Sequence, residues 1–275
     1  MVVRESAHSG DPFKIDAYAT KGEPVMNNSL QAVSSGQGKD VILLHGLFGQ
    51  GSNLRGIASA LEPHFRVHCL DLPDHGRSPW LSSASLVAYS DEVLKWMNGR
   101  QICKSHMIGH SLGGKVAMQL ALSDAERLKR LVVADIAPVL YPAQHAEILA
   151  VMAQVQASGC KTRSSVEEIL AEVIPEPEVR GYLMMGVRQG PGGYQWRFNL
   201  AGLTSGYDQL RAAPDGEVPC ETPTLFLRGG NSQYIGADHL PEIARRFLQS
   251  RVHTVPDAGH WLHIDQPRAV QDAIE

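Results

Sequence analysis

One six-residue segment constrains the fold of this chain more than any other: residues 109–114, with the sequence Gly-His-Ser-Leu-Gly-Gly. An apolar run precedes it and an amphipathic run follows it, so Ser111 falls at a turn from a strand into a helix. Side chains two residues to either side of Ser111 would collide in such a tight turn, and both positions, Gly109 and Gly113, are glycine. The segment therefore predicts a serine hydroxyl exposed at the edge of a sheet, beside the Leu112 N–H at the first turn of a helix.

Short apolar runs alternate with helix-period segments on both sides of this turn. Such runs are typical of strands buried on both faces of a parallel sheet, because right-handed crossovers place helices on both faces. Two more polar segments, 14–20 and 29–34, are interpreted as edge strands. We therefore predict an α/β fold with a mostly parallel eight-stranded sheet flanked by helices. The central strands are predicted at 41–44, 65–70, 105–108, 131–134, 224–227 and 252–255, and flanking helices at 56–61, 86–97 and 112–122.

The alternation stops after the sixth predicted strand, where residues 138–220 show helical periodicity without strands. A segment this long is more than a connection between two strands of a compact domain. We predict that it forms a helical cap, or lid, over the carboxyl edge of the sheet, and that residues 1–137 and 221–275 form the core domain. Its helices are predicted at 143–157, from 164 to Pro175, at 178–188 and at 199–212.

Composition and charge exclude several classes of protein. The chain of 275 residues has a formal net charge of −4 with scattered basic residues, which argues against a nucleic-acid partner. Residues 1–13 lack the apolar core of a secretory signal, and no stretch approaches the roughly 20 apolar residues of a membrane span. The four cysteines are far apart and form no C-x-x-C pair, so we expect reduced thiols in a cytoplasmic protein. They are Cys69, Cys103, Cys160 and Cys220.

A serine hydroxyl becomes a useful nucleophile only when a base lies within hydrogen-bond reach and a further group orients that base. In this order of elements, the base is a histidine that follows the last strand. His260 meets the condition, whereas His253 lies within the predicted strand and His263 is three residues further on. We predict His260 as the base; the alternative is a histidine that only binds a backbone carbonyl.

The orienting acid is expected in the turn after the strand at 224–227, but Ser232 stands where an aspartate would be expected. The next carboxylate, Asp238, is better explained as a helix N-cap. Asp135 follows the preceding strand in the predicted sheet, so its carboxylate faces the same crevice and can reach the same imidazole. We predict Asp135 as the acid, with Asp257 as the alternative; a capping role at the start of the insertion is the structural alternative for Asp135.

Two backbone N–H groups are predicted to stabilise a developing oxyanion. One is that of Leu47, in the glycine-rich loop at 45–49 (His-Gly-Leu-Phe-Gly) that follows the first central strand. The other is that of Leu112, directly after the predicted nucleophile. A tight turn without chemistry is the alternative for the loop at 45–49.

No metal and no cofactor are expected. Asp71, Asp74 and His75 could be combined into a metal site, but their loop is better explained as a structural turn with local hydrogen bonds and a positive φ at Gly76. The segment at 109–114 has a serine rather than a lysine at its centre, so it is not a phosphate-binding loop.

These segments, in this order, resemble the landmarks of the α/β-hydrolase family. The loop at 45–49, the Asp-x-Pro-x-His-Gly-x-Ser loop at 71–78, the segment at 109–114 and Ala-Gly-His-Trp at 258–261 carry the resemblance. Four finer matches are similar to the YbfF-type bacterial esterases and their mitochondrial abhydrolase relatives. They are Gly-Lys at 114–115, Ala-Asp-Ile-Ala-Pro at 134–138, Trp-x-Phe-Asn-Leu at 196–200 and Gly-x-x-Ser-x-Tyr-Ile at 229–235.

The resemblance implies a serine esterase or thioesterase that needs no cofactor, and it implies that the acid after the sixth strand, Asp135, completes the catalytic set. We predict cleavage of small-molecule carboxylic esters or acyl thioesters through an acyl-enzyme intermediate, by a monomer or weak homodimer. The alternatives are a C–C bond hydrolase or perhydrolase with the same residues, a ligand receptor without turnover, and a non-catalytic descendant of the fold. Predicted substrate contacts are Trp196, Phe198 and Tyr234, with Tyr141, Met184, Met185 and Leu203 as further pocket candidates.

Overall fold

The predicted apolar runs form strands in the computed structural model, which describes residues 29–274. In chain order the strands are β1 (Ala32–Gly36), β2 (Lys39–Leu44), β3 (Phe65–Leu70), β4 (Ser105–His110), β5 (Leu128–Ala134), β6 (Val187–Gly190), β7 (Gly193–Trp196), β8 (Thr224–Gly229) and β9 (Ser250–Val255). Strands β6 and β7 form a separate antiparallel hairpin. The other seven form one sheet in the order β1-β3-β2-β4-β5-β8-β9, in which every neighbouring pair is parallel except β1 and β3.

This mostly parallel sheet confirms the predicted fold class, and its six parallel strands lie at the six predicted central runs. The edge strand predicted at 29–34 forms as β1, slightly later in the chain. The other predicted edge strand, 14–20, lies outside the described residues. The described sheet therefore has seven strands where eight are predicted.

Helices cover both faces of the sheet. The helices at 55–61 and 267–274 pack on one face, and those at 86–99, 112–123 and 240–246 pack on the other. None of the helices within residues 29–274 is both long enough and apolar enough to span a membrane. The α-helices are α1 (Arg55–Leu61), α2 (Leu86–Gly99), α3 (Leu112–Ser123), α4 (Ala146–Ser158), α5 (Arg163–Ala171), α6 (Pro177–Met185), α7 (Leu200–Ser205), α8 (Tyr207–Leu210), α9 (Leu240–Arg246), α10 (Leu262–Asp265) and α11 (Pro267–Ile274).

Strand β2 shows how the sheet is buried on both sides. Val41 and Leu43 belong to the apolar core beneath α1 and α11, whereas Ile42 and Leu44 belong to the core beneath α2 and α3. All four side chains are buried, because successive residues of a strand face opposite sides of the sheet. The chain passes from β2 to β3 on one side and then to β4 on the other, so a crevice opens at the carboxyl ends of β2 and β4.

The segment between β5 and β8 contains helices α4 to α8, but it is not entirely helical as predicted. Helix α6 ends at Met185, before the predicted end at 188, and the chain continues into the hairpin of β6 and β7. The hairpin turn, Gly-Pro-Gly-Gly at 190–193, includes Gly193 with φ 128°, a conformation that favours glycine. The helix predicted at 199–212 is divided at Gly206 into α7 and α8. The division into a core and a cap at residues 138 and 220 stays a prediction.

A buried lysine on α3 joins both ends of this segment to the sheet domain. The Lys115 ammonium donates hydrogen bonds to the carbonyl oxygens of Val139 at 2.6 Å, Arg211 at 3.2 Å and Ala212 at 2.5 Å. Val139 lies at the start of the segment and the other two near its end. All three N–H donors of the ammonium are therefore used to hold the two ends together.

Candidate active site

Ser111 lies in the turn between β4 and α3, with φ 52° and ψ −117°. A Cβ atom on Gly113 would stand 2.2 Å from the Leu44 carbonyl oxygen, and one on Gly109 would stand 2.3 Å from the Gly113 carbonyl oxygen. Neither gap admits a carbon atom, so glycine is required at both positions. The sequence thus permits a strained backbone at Ser111, and the serine lines the crevice at the edge of the sheet.

Asp135 and His260 form a hydrogen-bonded pair at the same edge. Nδ1–H of His260 donates to Oδ2 of Asp135 at 2.8 Å. Asp135 directly follows β5 and is fully buried, whereas the His260 side chain is 20% exposed. A carboxylate bonded to Nδ1 holds the imidazole in the tautomer that leaves Nε2 able to accept a proton.

The carboxylate of Asp135 receives two further hydrogen bonds from the end of β8. The backbone N–H of Gly229 donates to Oδ1 at 2.9 Å, and the hydroxyl of Ser232 donates to Oδ2. Ser232 occupies the position where an aspartate is expected from the sequence. In this chain, the turn after β8 therefore supplies a donor to the acid instead of the acid itself, and three donors compensate the buried carboxylate.

Two neighbours hold the imidazole and main chain of His260 in the lining of the cavity that also contains Ser111. Buried His110 donates from Nε2 to the His260 carbonyl oxygen at 2.8 Å. Burial, followed by the nearby His260 and His263, lowers the pKa of His110 well below its ordinary value, so this ring is neutral near pH 7. On the other side, the Tyr234 ring stacks on the His260 imidazole with ring centroids 3.9 Å apart. Sequence patterns gave no signal for His110, because its partner is a backbone carbonyl distant in the chain.

The two predicted oxyanion donors lie at the carboxyl ends of β2 and β4. Within residues 29–274, neither Leu47 nor Leu112 donates its backbone N–H to another group. The neighbouring N–H, that of Phe48, donates to Nε2 of His75 at 3.1 Å. Burial lowers the pKa of His75 to about 3, so its ring is neutral and Nε2 can accept this bond. The glycine-rich loop is thus fixed while the Leu47 N–H stays available.

One side chain of the inserted segment contacts the same loop. The Tyr182 hydroxyl on α6 donates to the Leu47 carbonyl oxygen at 3.0 Å. A Cβ atom on Gly49 would stand 2.5 Å from that hydroxyl oxygen, so the second glycine of the loop makes room for Tyr182. The orientation of the Leu47 peptide therefore depends on the insertion as well as on the sheet.

Backbone strain is concentrated in the loops around Ser111. Six non-glycine residues among those described have positive φ, and four of them lie in these loops. They are Phe48 after β2, Ser111 after β4, Asp135 after β5 and Asp257 after β9, with φ values of 63°, 52°, 53° and 57°. Such conformations persist only where the surrounding structure enforces them, and they are typical of functional sites.

Two cavities meet at Ser111. The larger has a volume of about 340 Å³ and the smaller one of about 40 Å³. Residues that line both cavities are Leu47, Ser111, Gln144, His145 and Tyr234. Only the larger cavity contacts His260, and only the smaller one contacts Leu112.

The structure brings only some of the predicted pocket residues to these cavities. Tyr234 lines both, and Tyr141 lines the smaller one. Trp196 and Phe198 line neither: they stack on each other with centroids 5.4 Å apart, and Trp196 Nε1 donates to the Met152 carbonyl oxygen at 2.9 Å. The two aromatic rings belong to the large apolar core, in which Phe198 also packs against Phe48 of a sheet loop, with ring centroids 5.3 Å apart. Met184, Met185 and Leu203 also lie outside the linings of both cavities.

Other cavity residues had no sequence signal. Gln144 and His145, just before α4, and Tyr182 on α6 enter the site only through the packing of the insertion. Trp261 could have been suspected from its place beside His260. The alternative acid, Asp257, is exposed on the loop before His260, and it is Asp135 whose carboxylate reaches the imidazole. Within residues 29–274, no group of three or more His, Cys, Asp or Glu side chains is arranged to hold a metal ion.

Comparisons with known proteins agree with this architecture. The chain matches the model of the alpha/beta hydrolase family over residues 41–273. It is 36% identical over 242 residues to the sn-1-specific diacylglycerol lipase ABHD11 of Mus musculus, which covers 85% of this chain and 79% of the relative. It is 34% identical over 236 residues to Esterase YbfF of Escherichia coli (strain K12), which covers 85% of this chain and 91% of the relative.

A solved structure described as a marine microorganism esterase superposes with a TM-score of 0.86 at 31% identity, over 90% of this chain and 98% of that chain. These matches confirm the resemblance that the sequence motifs indicate. The chain belongs to the alpha/beta hydrolase family.

Proposed function

We propose that this chain is a serine hydrolase that cleaves carboxylic esters or acyl thioesters of small molecules through an acyl-enzyme intermediate. One observation carries the proposal. His260, whose Nδ1 is bonded to the buried carboxylate of Asp135, lines the same cavity as Ser111, which lies at a turn with a strained backbone. A nucleophile, a base and an orienting acid are thus available at one place.

In the first half of the reaction, the Ser111 hydroxyl attacks the carbonyl carbon of the substrate, and Nε2 of His260 takes the hydroxyl proton. The Asp135 carboxylate, bonded to Nδ1, stabilises the resulting imidazolium and keeps the ring in position. Collapse of the tetrahedral intermediate breaks the bond to the leaving alcohol or thiol. His260 returns its proton to that leaving group, and the acyl group remains on Ser111.

The N–H groups of Leu47 and Leu112 are proposed to bind the oxyanion of the tetrahedral intermediate. Each donor of this kind contributes roughly 3 kcal/mol to catalysis in well-studied hydrolases. In the second half, His260 takes a proton from water, and the hydroxide attacks the acyl-enzyme. The same two N–H groups stabilise the second intermediate, and the carboxylic acid leaves as Ser111 regains its proton.

The named activities of the relatives support this assignment. One is a diacylglycerol lipase and another an esterase, so both act on ester bonds. Two features of the organisation belong to the same proposal: a core of residues 1–137 and 221–275, and a cap of residues 138–220. The Lys115 ammonium, which joins the two ends of the insertion, supports that division.

The test is pre-steady-state kinetics with p-nitrophenyl acetate. A burst of one p-nitrophenol per active site followed by slower turnover is expected for an acyl-enzyme. The Ser111→Ala variant should lose at least about 10⁴-fold in kcat, because the nucleophile is absent. Ser105→Ala is the matched control: Ser105 lies buried on the same strand and away from the cavities, and its variant should retain activity.

Unchanged hydrolysis by Ser111→Ala would refute the assignment of the nucleophile. Turnover of a vinylogous diketone, or peracid formation from acetate and hydrogen peroxide, in the absence of any ester hydrolysis would favour the C–C hydrolase or perhydrolase instead. Tight ligand binding without turnover of any of these substrates would favour a receptor.

A further inference from the structure

The two cavities at Ser111 differ in which catalytic groups they contact, and this difference orients the substrate. The larger cavity contains His260, the proposed proton donor to the leaving group, and does not contact Leu112. The smaller cavity contains Leu112, a proposed oxyanion donor, and does not contact His260. The inference below rests on the proposed function, because it assigns roles to these two sides of one reaction.

In the tetrahedral intermediate, the former carbonyl carbon carries four groups: the Ser111 oxygen, the oxyanion, the leaving oxygen or sulfur, and the acyl chain. The leaving atom must lie beside His260 to receive its proton. The oxyanion must lie between the two N–H groups. The acyl chain therefore extends away from His260, past Ser111, which is the direction of the smaller cavity.

The volumes then set the size of each part. Each water-sized group needs roughly 10–15 Å³ of cavity volume. The smaller cavity, at about 40 Å³, therefore admits an acyl chain of only a few heavy atoms. The larger cavity, at about 340 Å³, falls in the range of ordinary small-molecule sites. We propose that this chain prefers short-chain acyl esters or thioesters of bulky apolar alcohols or thiols.

The walls of the smaller cavity are rigid. Lys115 forms part of the wall, and its three N–H groups are all bonded to carbonyl oxygens. The Tyr141 hydroxyl accepts the Ala137 N–H at 2.9 Å and donates to the Tyr234 carbonyl oxygen. Buried Ile136 and Leu210 complete the apolar lining. A longer acyl chain would have to break these bonds or displace packed side chains, so the size limit is a property of the fold.

The walls of the larger cavity come mostly from apolar side chains of the insertion and the sheet loops. They favour an apolar leaving group because they offer few polar partners to a charged one. The residues are Phe48, Ile148, Val179, Tyr182, Leu183 and Trp261.

Hexyl acetate and ethyl hexanoate test the orientation directly. They are isomers with the same atoms, and they differ only in which side of the ester carries the long chain. We expect kcat/KM for hexyl acetate to exceed that for ethyl hexanoate by at least about 10-fold. An equal rate or the reverse order, together with hydrolysis of p-nitrophenyl acetate, would overturn this inference alone; failure to hydrolyse any ester would overturn the proposed function as well.

Two variants separate the cavities. Leu210→Ala enlarges the smaller cavity, so it should raise the ratio of ethyl butyrate to ethyl acetate turnover several-fold without changing the ratio of hexyl to ethyl acetate. Val179→Phe narrows the larger cavity. It should lower the ratio of hexyl to ethyl acetate turnover several-fold without changing the ratio of ethyl butyrate to ethyl acetate turnover. The crossed result, in which each variant alters the other ratio, would contradict the assignment. Should Leu210→Ala fail to fold, Ile136→Val opens the same wall by a single methyl group, and its ratio of ethyl butyrate to ethyl acetate should likewise rise.

Discussion

At the carboxyl edge of the sheet, the side chains nearest Ser111 are held by hydrogen bonds and a strained backbone. In the inserted segment at 138–220, the apolar side chains that face the larger cavity are held by packing. Asp135 has three donors, and His260 is fixed through both its ring and its carbonyl oxygen. The insertion instead presents apolar walls, such as Ile148 and Val179, to the larger cavity. Under the proposed function, the sheet loops would carry the chemistry, and the insertion would select which substrate fits.

The largest effect within this comparison is expected at the acid. Asp135→Asn should lower kcat by roughly 10⁴-fold, because the amide cannot stabilise the imidazolium and favours the wrong tautomer. Asp257→Asn is the matched control. Asp257 is an exposed aspartate three residues before His260 in the chain, so its replacement should have little effect on kcat. Steady-state kinetics on p-nitrophenyl acetate measure both. If the control loses the activity and Asp135→Asn keeps it, the acid is wrongly assigned.

Acid should destabilise the sheet loops more than the insertion. Burial lowers the pKa of His45 to about 4, His75 to about 3 and His263 to about 4, whereas the insertion carries one such group, His145, also at about 4. The unfolded chain takes up protons at these groups below their ordinary pKa of 6.5, and the folded chain does not. The free energy of unfolding should therefore fall as the pH drops from about 6.5 to about 4, by about 1.4 kcal/mol per group at pH 5.5.

Urea unfolding at pH 8 and pH 5.5 measures this loss of stability. The variant His263→Gln removes one of the groups, so its stability should depend less steeply on pH, by close to one proton. A free energy of unfolding that is constant, or that rises, between pH 8 and pH 5.5 would contradict the neutral state of these buried rings.

The connection between the two regions can be broken at Lys115. Lys115→Met leaves three backbone carbonyls without their ammonium donor, at a cost of about 1 kcal/mol each. The melting temperature should fall by about 6–10 °C for a chain of this size. Lys104→Met is the matched control at an exposed lysine, and it should melt as the unchanged protein does. Equal melting temperatures for the two variants would show that Lys115 does not join the insertion to the sheet.

The smallest effect is expected where the insertion contacts the chemistry. Tyr182→Phe removes the hydrogen bond to the Leu47 carbonyl, which is worth about 1 kcal/mol. We expect the melting temperature to fall by only about 2–4 °C. We expect kcat to fall by about 3- to 10-fold, because the Leu47 N–H loses part of its orientation. Tyr194→Phe, on the hairpin and away from both cavities, serves as the control. Identical kcat values for the two variants would show that the contact between Tyr182 and the Leu47 carbonyl does not affect catalysis.

The sequence predicts the sheet and its reactive loops well because local geometry dictates them. A Cβ atom at Gly113 or Gly109 would lie 2.2 or 2.3 Å from a carbonyl oxygen, so this turn requires glycine at both positions and the sequence supplies it. Asp135 could be suggested from the chain because a residue that follows a central strand must lie at the crevice. The structure places it against His260; the catalytic roles of both residues stay predictions.

The insertion was harder to predict because its details depend on contacts between distant segments. The hairpin of β6 and β7 is not predicted, because the helical periodicity before it favours a longer helix and its strands are only four residues long. Trp196 and Phe198 are aromatic residues of the predicted cap, but long-range packing decides that they stack on each other instead of lining the cavities at Ser111. The role of Ser232 also depends on a long-range contact. Its hydroxyl can donate to Asp135 only because β5 and β8 are neighbours in the sheet, and the sequence shows only that an expected aspartate is absent.

The central claim is that Ser111 is a nucleophile activated by His260. Treatment with a serine-directed fluorophosphonate, followed by peptide mass spectrometry, tests it most directly. We predict a single covalent adduct on Ser111, and labelling at least 100-fold slower in His260→Ala. An adduct on another serine, or equally fast labelling of Ser111 without His260, would contradict the account.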